Sequence, residues 1–121
     1  MNLVGPLNSG EVDSCLDAVS DQDSRTPVSG TVVGVYIDLN VACLSTPTIT
    51  ITTKGPPVET ILEVATDTGG WFYPVTPIHL NTTGGAIANL YSGGVPIHDY
   101  VNVEISDANY GDDVDVYLLV E

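Results

Sequence analysis

Apolar and polar residues alternate with a period of two through most of this chain, most clearly near its C-terminal end. Val101, Val103 and Ile105 are separated by Asn102 and Glu104; after a polar stretch, Val114, Val116, Leu118 and Val120 are separated by Asp115, Tyr117 and Leu119. Successive side chains of an extended strand point to opposite faces, so the pattern predicts a terminal β-hairpin with one apolar face. Upstream, Val33, Val35, Ile37, Leu39, Val41 and Cys43 share one phase, opposite Gly34, Tyr36, Asp38 and Asn40, which predicts a long strand or two strands joined by a bend. Ile49 and Ile51 alternate with Thr48, Thr50 and Thr52 in a segment of high β propensity. Residues 61–65 predict a further short strand, ended by Asp67, Thr68, Gly69 and Gly70. Trp71, Phe72 and Tyr73 open a segment that Pro74 and Pro77 interrupt; proline cannot donate to a central ladder, so this is an edge strand or a loop. Gly84-Gly85 and Gly93-Gly94 bracket one more short piece, 86–91.

Residues 1–28 differ in character. They hold Asp13, Asp17, Asp21 and Asp23 with Pro6 and Pro27, and Val12, Cys15, Leu16 and Val19 fall at helical spacing. Ser9 is placed to cap such a helix, with Glu11 and Asp13 in the first turn where the helix dipole favours them. A helix of about ten residues is marginal alone in water, so this stretch either packs on the sheet or is an arm that orders against a partner; the arm is preferred. The predicted fold is therefore all-β: an antiparallel β-sandwich, jelly-roll or immunoglobulin-like, over residues 29–121, preceded by an N-terminal arm or short helix over 1–28. A chain starting at residue 29 is then expected to fold by itself and to lose only partner binding.

Charge narrows the partners. Arg25 and Lys54 stand against sixteen Asp and Glu, for a net charge of −14. Nucleic-acid binding by counterion release needs several cations per site, and attraction to anionic membranes needs a basic cluster, so direct nucleic-acid and membrane partners are excluded. The acidity serves either solubility or long-range attraction to a basic protein surface. The apolar stretch 32–44 is broken by Asp38 and Asn40 and is too short to span a bilayer. With no basic, apolar leader at the N-terminus, the expectation is a soluble protein made in a cytoplasm. Cys43 falls on the apolar phase of its strand, fitting a small buried hydrophobe; a bridge from Cys15 to Cys43 stays open.

Reactive groups are sparse. His79 and His98 are available, with Asp99 beside the second, but no Gly-x-Ser-x-Gly elbow occurs, and neighbours on a strand face opposite ways. Asp107, Asp112, Asp113 and Asp115 form the densest acid group, at positions a turn favours for its own reasons. The stretch Asp107-Ala-Asn109-Tyr-Gly111-Asp112 has some likeness to a calcium loop, but its glycine is one place early and the closing glutamate is missing. The expectation is no enzyme, no cofactor and no metal. The best binding candidates are Trp71, Phe72 and Tyr73, with Val12, Leu16 and Val19 of the N-terminal stretch. Exposed Trp and Tyr anchor protein interfaces and stack on sugars; alternatively Trp71 and Tyr73 cap one end of the core. Alternation turns Phe72 away from both.

Taken together, Gly30-Thr-Val-Val-Gly-Val-Tyr36-Ile-Asp38, Thr48-Ile-Thr-Ile-Thr-Thr, Gly70-Trp-Phe-Tyr-Pro74, Asp99-Tyr-Val-Asn-Val-Glu-Ile and Gly111-Asp-Asp-Val-Asp-Val-Tyr-Leu-Leu resemble small virion proteins of tailed bacteriophages, the capsid cement or decoration proteins. The resemblance covers roughly residues 29–121. It implies a structural protein on the outer surface of the virion capsid that binds the major capsid protein at local symmetry axes, as a homo-oligomer, a trimer ahead of a dimer. Two other expectations stand beside it: another phage structural part (a head fibre base, connector or tail component), or a carbohydrate-binding sandwich that uses Trp71 and Tyr73.

Overall fold

The computed structural model describes residues 2–12, 18–40, 46–56, 58–79, 86–108 and 111–121, with 18, 40, 75–79 and 86–92 described by their backbone alone. Eleven strands and no helix occur among these residues: β1 (Asn2–Asn8), β2 (Ala18–Asp23), β3 (Val28–Asn40), β4 (Thr48–Thr53), β5 (Thr60–Ala65), β6 (Gly70–Phe72), β7 (Val75–His79), β8 (Ala86–Gly93), β9 (Val95–Asp99), β10 (Val101–Ala108) and β11 (Asp113–Val120).

They form two main antiparallel sheets. The first runs β1-β11-β3-β6, with β9 also on β3; the second runs β2-β10-β4-β5; β7 and β8 make a separate ribbon. Val32 of β3 partners Val120 of β11 and Val95 of β9, while Val35 partners Leu118 of β11 and Phe72 of β6. Thus β9 and β6 share the β3 edge opposite β11, one after the other. The alternation seen in the sequence sets the inner faces. Val114, Val116, Leu118 and Val120 on β11, with Val32, Val35 and Ile37 on β3, face Ile49 and Ile51 on β4 and Val101, Val103 and Ile105 on β10, all buried in one core. Removing this apolar surface from water, at about 25 cal/mol per Å2, is the main force holding the layers together.

Four expectations change. The terminal pair is no hairpin: β10 lies in the second sheet between β2 and β4, and β11 lies in the first between β1 and β3. Two apolar faces can meet across a sandwich as well as side by side, and alternation does not distinguish these arrangements. On β3, the inward phase expected from Val33 onward is interrupted. A register shift between Leu119 and Val120 brings Val32 and Val35 both inward, at no measurable exposure, and leaves Val33 half-buried.

The described part of residues 1–28 also departs from the expected arm. β1 pairs with β11 from Asn2↔Val120 to Asn8↔Asp115, and β2 pairs with β10 from Asn102↔Asp23 to Ala108↔Ala18. Ser9 is buried; its backbone N donates to Val114 O at 3.1 Å, and its Oγ accepts from Val114 N at 3.2 Å. The physical reason is that β10 and β11 each need a second neighbour, and these two segments satisfy their open ladders. The helix expected around Val12 to Val19 finds no support at its ends: Val12 is 1% exposed within the core and Val19 lies on β2. Leu16 and Cys15 lie outside the described residues, as does Cys43 with its expected burial. The sandwich therefore begins with β1, not at residue 29.

Candidate functional site: an aromatic face on the outer side of the first sheet

The outer side of the first sheet follows from the same register that builds the core. Tyr36 of β3 stands opposite Tyr117 of β11 on one side and opposite Trp71 of β6 on the other. Leu3 of β1 stands opposite Leu119 of β11. All five therefore project away from the core, on four neighbouring strands. The Tyr36 ring lies 5.2 Å from that of Trp71 (58° between planes) and 6.2 Å from that of Tyr117 (53°). Tyr73, just beyond β6, lies nearly parallel to Trp71 at 6.4 Å and 11°. Tilted and stacked pairs at these distances suit the ring quadrupoles.

Burial separates the anchor residues. Trp71 is 46% exposed, Tyr73 69% and Leu3 59%, whereas Phe72 turns inward and packs against the core. Trp71 and Tyr73 are thus surface residues on a sheet face and do not cap the core. Gly34, on β3, makes the placement of the indole possible: a Cβ there would stand 3.3 Å from Trp71 Cζ3 and 3.5 Å from Leu119 Cβ. Leu3, Tyr36, Asp38, Trp71 and Tyr117 line an open depression of about 410 Å3.

Acids border this face along β11. Asn8 Nδ2 donates to Asp113 Oδ2 at 3.0 Å and to Asp115 Oδ1 at 2.9 Å, tying both carboxylates to β1. Asp113 Oδ1 is buried with no hydrogen-bond partner among the described residues. Asp38, opposite Asp115 on β3, is exposed and has no partner among the described residues. On the second sheet, Asn102 Nδ2 donates to Asp21 Oδ2 and Asp23 Oδ1, both at 2.8 Å, and Lys54 Nζ lies 3.3 Å from Asp23 Oδ2. The Asn102 bond and the Lys54 charge together hold the Asp23 carboxyl below its ordinary value.

Of the other candidates, Val12 is a core residue and unavailable as a contact, and Val19 is exposed on β2, away from the aromatic face. His98 Nδ1 lies 2.7 Å from Ser29 Oγ on the paired strand β3. Asp99 does not orient this pair, because its carboxylate accepts from Gly55 N and Tyr100 N, each at 2.7 Å. The Ser29–His98 contact is thus an exposed cross-strand pair without a third member from Asp99. The side chain of His79 lies outside the described residues. Among the described residues, no group of three His, Cys, Asp or Glu is placed to hold a metal ion, and no helix is long and apolar enough to cross a membrane. Asn109 and Tyr110, within the calcium-loop likeness, lie outside them.

The sequence singled out Trp71 and Tyr73 but missed Leu3, Tyr36, Asp38 and Tyr117. The available signal was that Tyr36 and Tyr117 occupy the outward phase of strong strands, where a polar residue is the usual choice. Comparison with protein-family models, curated proteins and solved structures found no match.

Proposed function

We propose that this protein is a non-enzymatic structural component of a bacteriophage virion, docking by the outer face of its first sheet on the outside of the capsid and stabilising contacts between major capsid protein subunits. The observation that carries this reading is the contiguous face formed by Leu3, Tyr36, Trp71, Tyr73 and Tyr117 on a rigid sheet. An apolar patch shared by four strands is a feature of interaction surfaces, whereas scattered exposed side chains such as Val58 are ordinary. Large rings with polar tips give much contact area at small entropic cost, which suits a docking surface. The net charge of −14 supports a basic counter-surface and disfavours close approach of copies unless a shell holds them. Self-association as a trimer or dimer belongs to the same proposal.

The test is co-sedimentation with empty capsid shells. The wild type is expected to pellet with shells and Tyr73→Ala to pellet much less, since Tyr73 supports no core contact; equal pelleting by both would remove the aromatic face from the interface. Raising ionic strength from low to physiological is expected to weaken binding if charge steers it. Electron microscopy of labelled particles separates a capsid position from a head fibre, connector or tail position.

A carbohydrate-binding role is the second reading, favoured by one observation: the near-parallel Trp71 and Tyr73 rings present a flat apolar platform of the kind that sugar faces stack on. A glycan array with Trp71→Ala as the control tests it, and silence across the array removes it.

A further inference from the structure

We infer that the depression lined by Leu3, Tyr36, Asp38, Trp71 and Tyr117 receives an arginine side chain from a basic partner protein. This deepens the docking reading above and rests on it for the partner's identity, but the pocket chemistry stands on its own observations.

Three aromatic rings, one aliphatic side chain and one carboxylate form the lining. A neutral apolar ligand would leave Asp38 desolvated beside it without a partner, which is unfavourable. An anion would meet Asp38 at close range and the net charge of −14 beyond it. A cation satisfies both parts of the lining: aromatic faces attract it through their quadrupoles within about 6 Å, and the carboxylate pairs with it. Asp38 is available for this. Its neighbours Asp113 and Asp115 are held by the Asn8 amide, whereas Asp38 is exposed and makes no hydrogen bond or ion pair with the described residues.

Among cations, guanidinium fits best. It is planar, so it can lie on the Trp71 or Tyr36 ring while its edge donates two bonds to Asp38, and it sheds water more readily than an ammonium. Its aliphatic stem would lie along Leu3, as charged side chains cover apolar surface elsewhere. The guanidinium is assigned to another protein for reasons of charge. This chain offers only Arg25 and Lys54 as cations; Lys54 is engaged with Asp23, and two copies at −14 repel each other.

The chain holds a single tryptophan, so the emission of Trp71 reports directly on this pocket. The experiment titrates the full-length protein with N-acetyl-arginine amide, its neutral isostere N-acetyl-citrulline amide, N-acetyl-lysine amide and neutral oligosaccharides. Arginine is expected to give a saturable change in Trp71 emission. Citrulline and the Asp38→Asn variant should each bind about tenfold more weakly, the effect of losing one charge-assisted bond. Lysine should fall between arginine and citrulline. Glu63→Gln, which removes an exposed acid from β5 on the other sheet, should bind arginine as the wild type does. Equal binding of arginine and citrulline would overturn the proposal, and so would equal losses in Asp38→Asn and Glu63→Gln, which indicate diffuse attraction only. A saturable response to a neutral oligosaccharide with none to arginine would overturn it in favour of sugar stacking. Self-association abolished by both Arg25→Gln and Asp38→Asn would overturn the assignment to a partner, making the guanidinium that of a second copy. The shell assay separates the two levels. Shells that bind the wild type and Asp38→Asn equally overturn the arginine pocket and leave docking intact; a positive arginine titration with no shell binding supports the pocket and removes the capsid reading.

Discussion

Three positions illustrate how much of this protein's behaviour is set residue by residue. Gly34 leaves the space that the Trp71 indole fills; a Cβ there would crowd the ring edge at 3.3 Å and meet Leu119 Cβ at an ordinary contact distance of 3.5 Å. Gly34→Val is therefore expected to keep the fold, with stability within about 1 kcal/mol of wild type by urea unfolding, because a β-branched residue suits a strand. It should lift the indole off the sheet, red-shift Trp71 emission and reduce docking, separating binding from folding. Gly69 is a different case. Its φ is +71°, and a Cβ would run into the carbonyl oxygen of Ile37. Gly69→Ala is expected to cost about 1–3 kcal/mol, since backbone strain and backbone crowding cannot be relieved by a rotamer change. Asp23 contributes to acid sensitivity. Its folded pKa is depressed, first by the Asn102 bond and then by Lys54, so it stabilises the folded state above its unfolded value, roughly 4. That contribution is lost as pH falls through the folded pKa. Unfolding midpoints of the wild type should thus drop as pH falls below about 4, and Asn102→Ala, which removes the chief cause, should show a shallower drop. An equally steep acid profile in the variant would show that other carboxylates dominate.

At the level of the strand, β11 carries both halves of the design. Its even-numbered residues Val114 to Val120 are buried, and its odd-numbered residues Asp113, Asp115, Tyr117 and Leu119 form part of the outer face. Leu118→Ala, at 0% exposure, is expected to cost about 2–5 kcal/mol, combining lost transfer energy with a cavity between tightly packed sheets. Leu119→Ala on the outward phase should cost far less; urea unfolding of the two variants under the same conditions makes the comparison, and similar losses would contradict the register Leu119↔Gly34. β6 has only three residues, yet it decides where Trp71 stands, because its pairing with β3 places Trp71 opposite Tyr36. β2 is an edge strand carrying Ser20, Asp21 and Asp23. Charges on such an edge discourage pairing with further strands, so contact between copies through this edge is disfavoured.

For the whole molecule, the N-terminal stretch matters most. β1 and β2 flank β11 and β10, and Val12 lies in the core. Removing residues 1–28 would strip one neighbour from each of β10 and β11, expose Val114, Val116 and Val103 nearby, and leave ladder groups unpaired. A chain starting at residue 29 is therefore expected to be unfolded or aggregated, with no cooperative transition in urea, where an arm would have been dispensable. Retention of a wild-type transition would return this stretch to the status of an appendage. Apart from Asp38, which lines the aromatic depression itself, the acids lie away from the rings, along β2, on β5 and beside the aromatic face on β11. On the docking proposal, this arrangement would let long-range attraction precede short-range stacking on a basic partner.

Local alternation was enough to assign strands β4, β5, β10 and β11 and to orient most of them, since the period of two is a property of a single extended chain. It identified Ile49, Ile51, Val103 and Val116 as core, and it turned Phe72 away from Trp71 and Tyr73. It could not say which strand lies beside which. Among the described elements, β4–β5 and β7–β8 are the pairs of successive strands that share a ladder; β10 and β11, although adjacent in sequence and alike in pattern, belong to opposite layers. The bulge that turns both Val32 and Val35 inward, and the pairing of β1 and β2 that absorbs the supposed arm, depend on partners distant in the chain. Trp71 and Tyr73 stood out in the sequence as aromatic anchors, but the rest of the candidate site belongs to this second kind of information. Leu3, Tyr36, Trp71 and Tyr117 become neighbours only when β11 and β6 take opposite edges of β3. Hydrophobic patterning decides which face of each strand leaves water; the competition among strands for hydrogen-bonded neighbours, resolved once the two layers close on one core, decides what stands together on the other face.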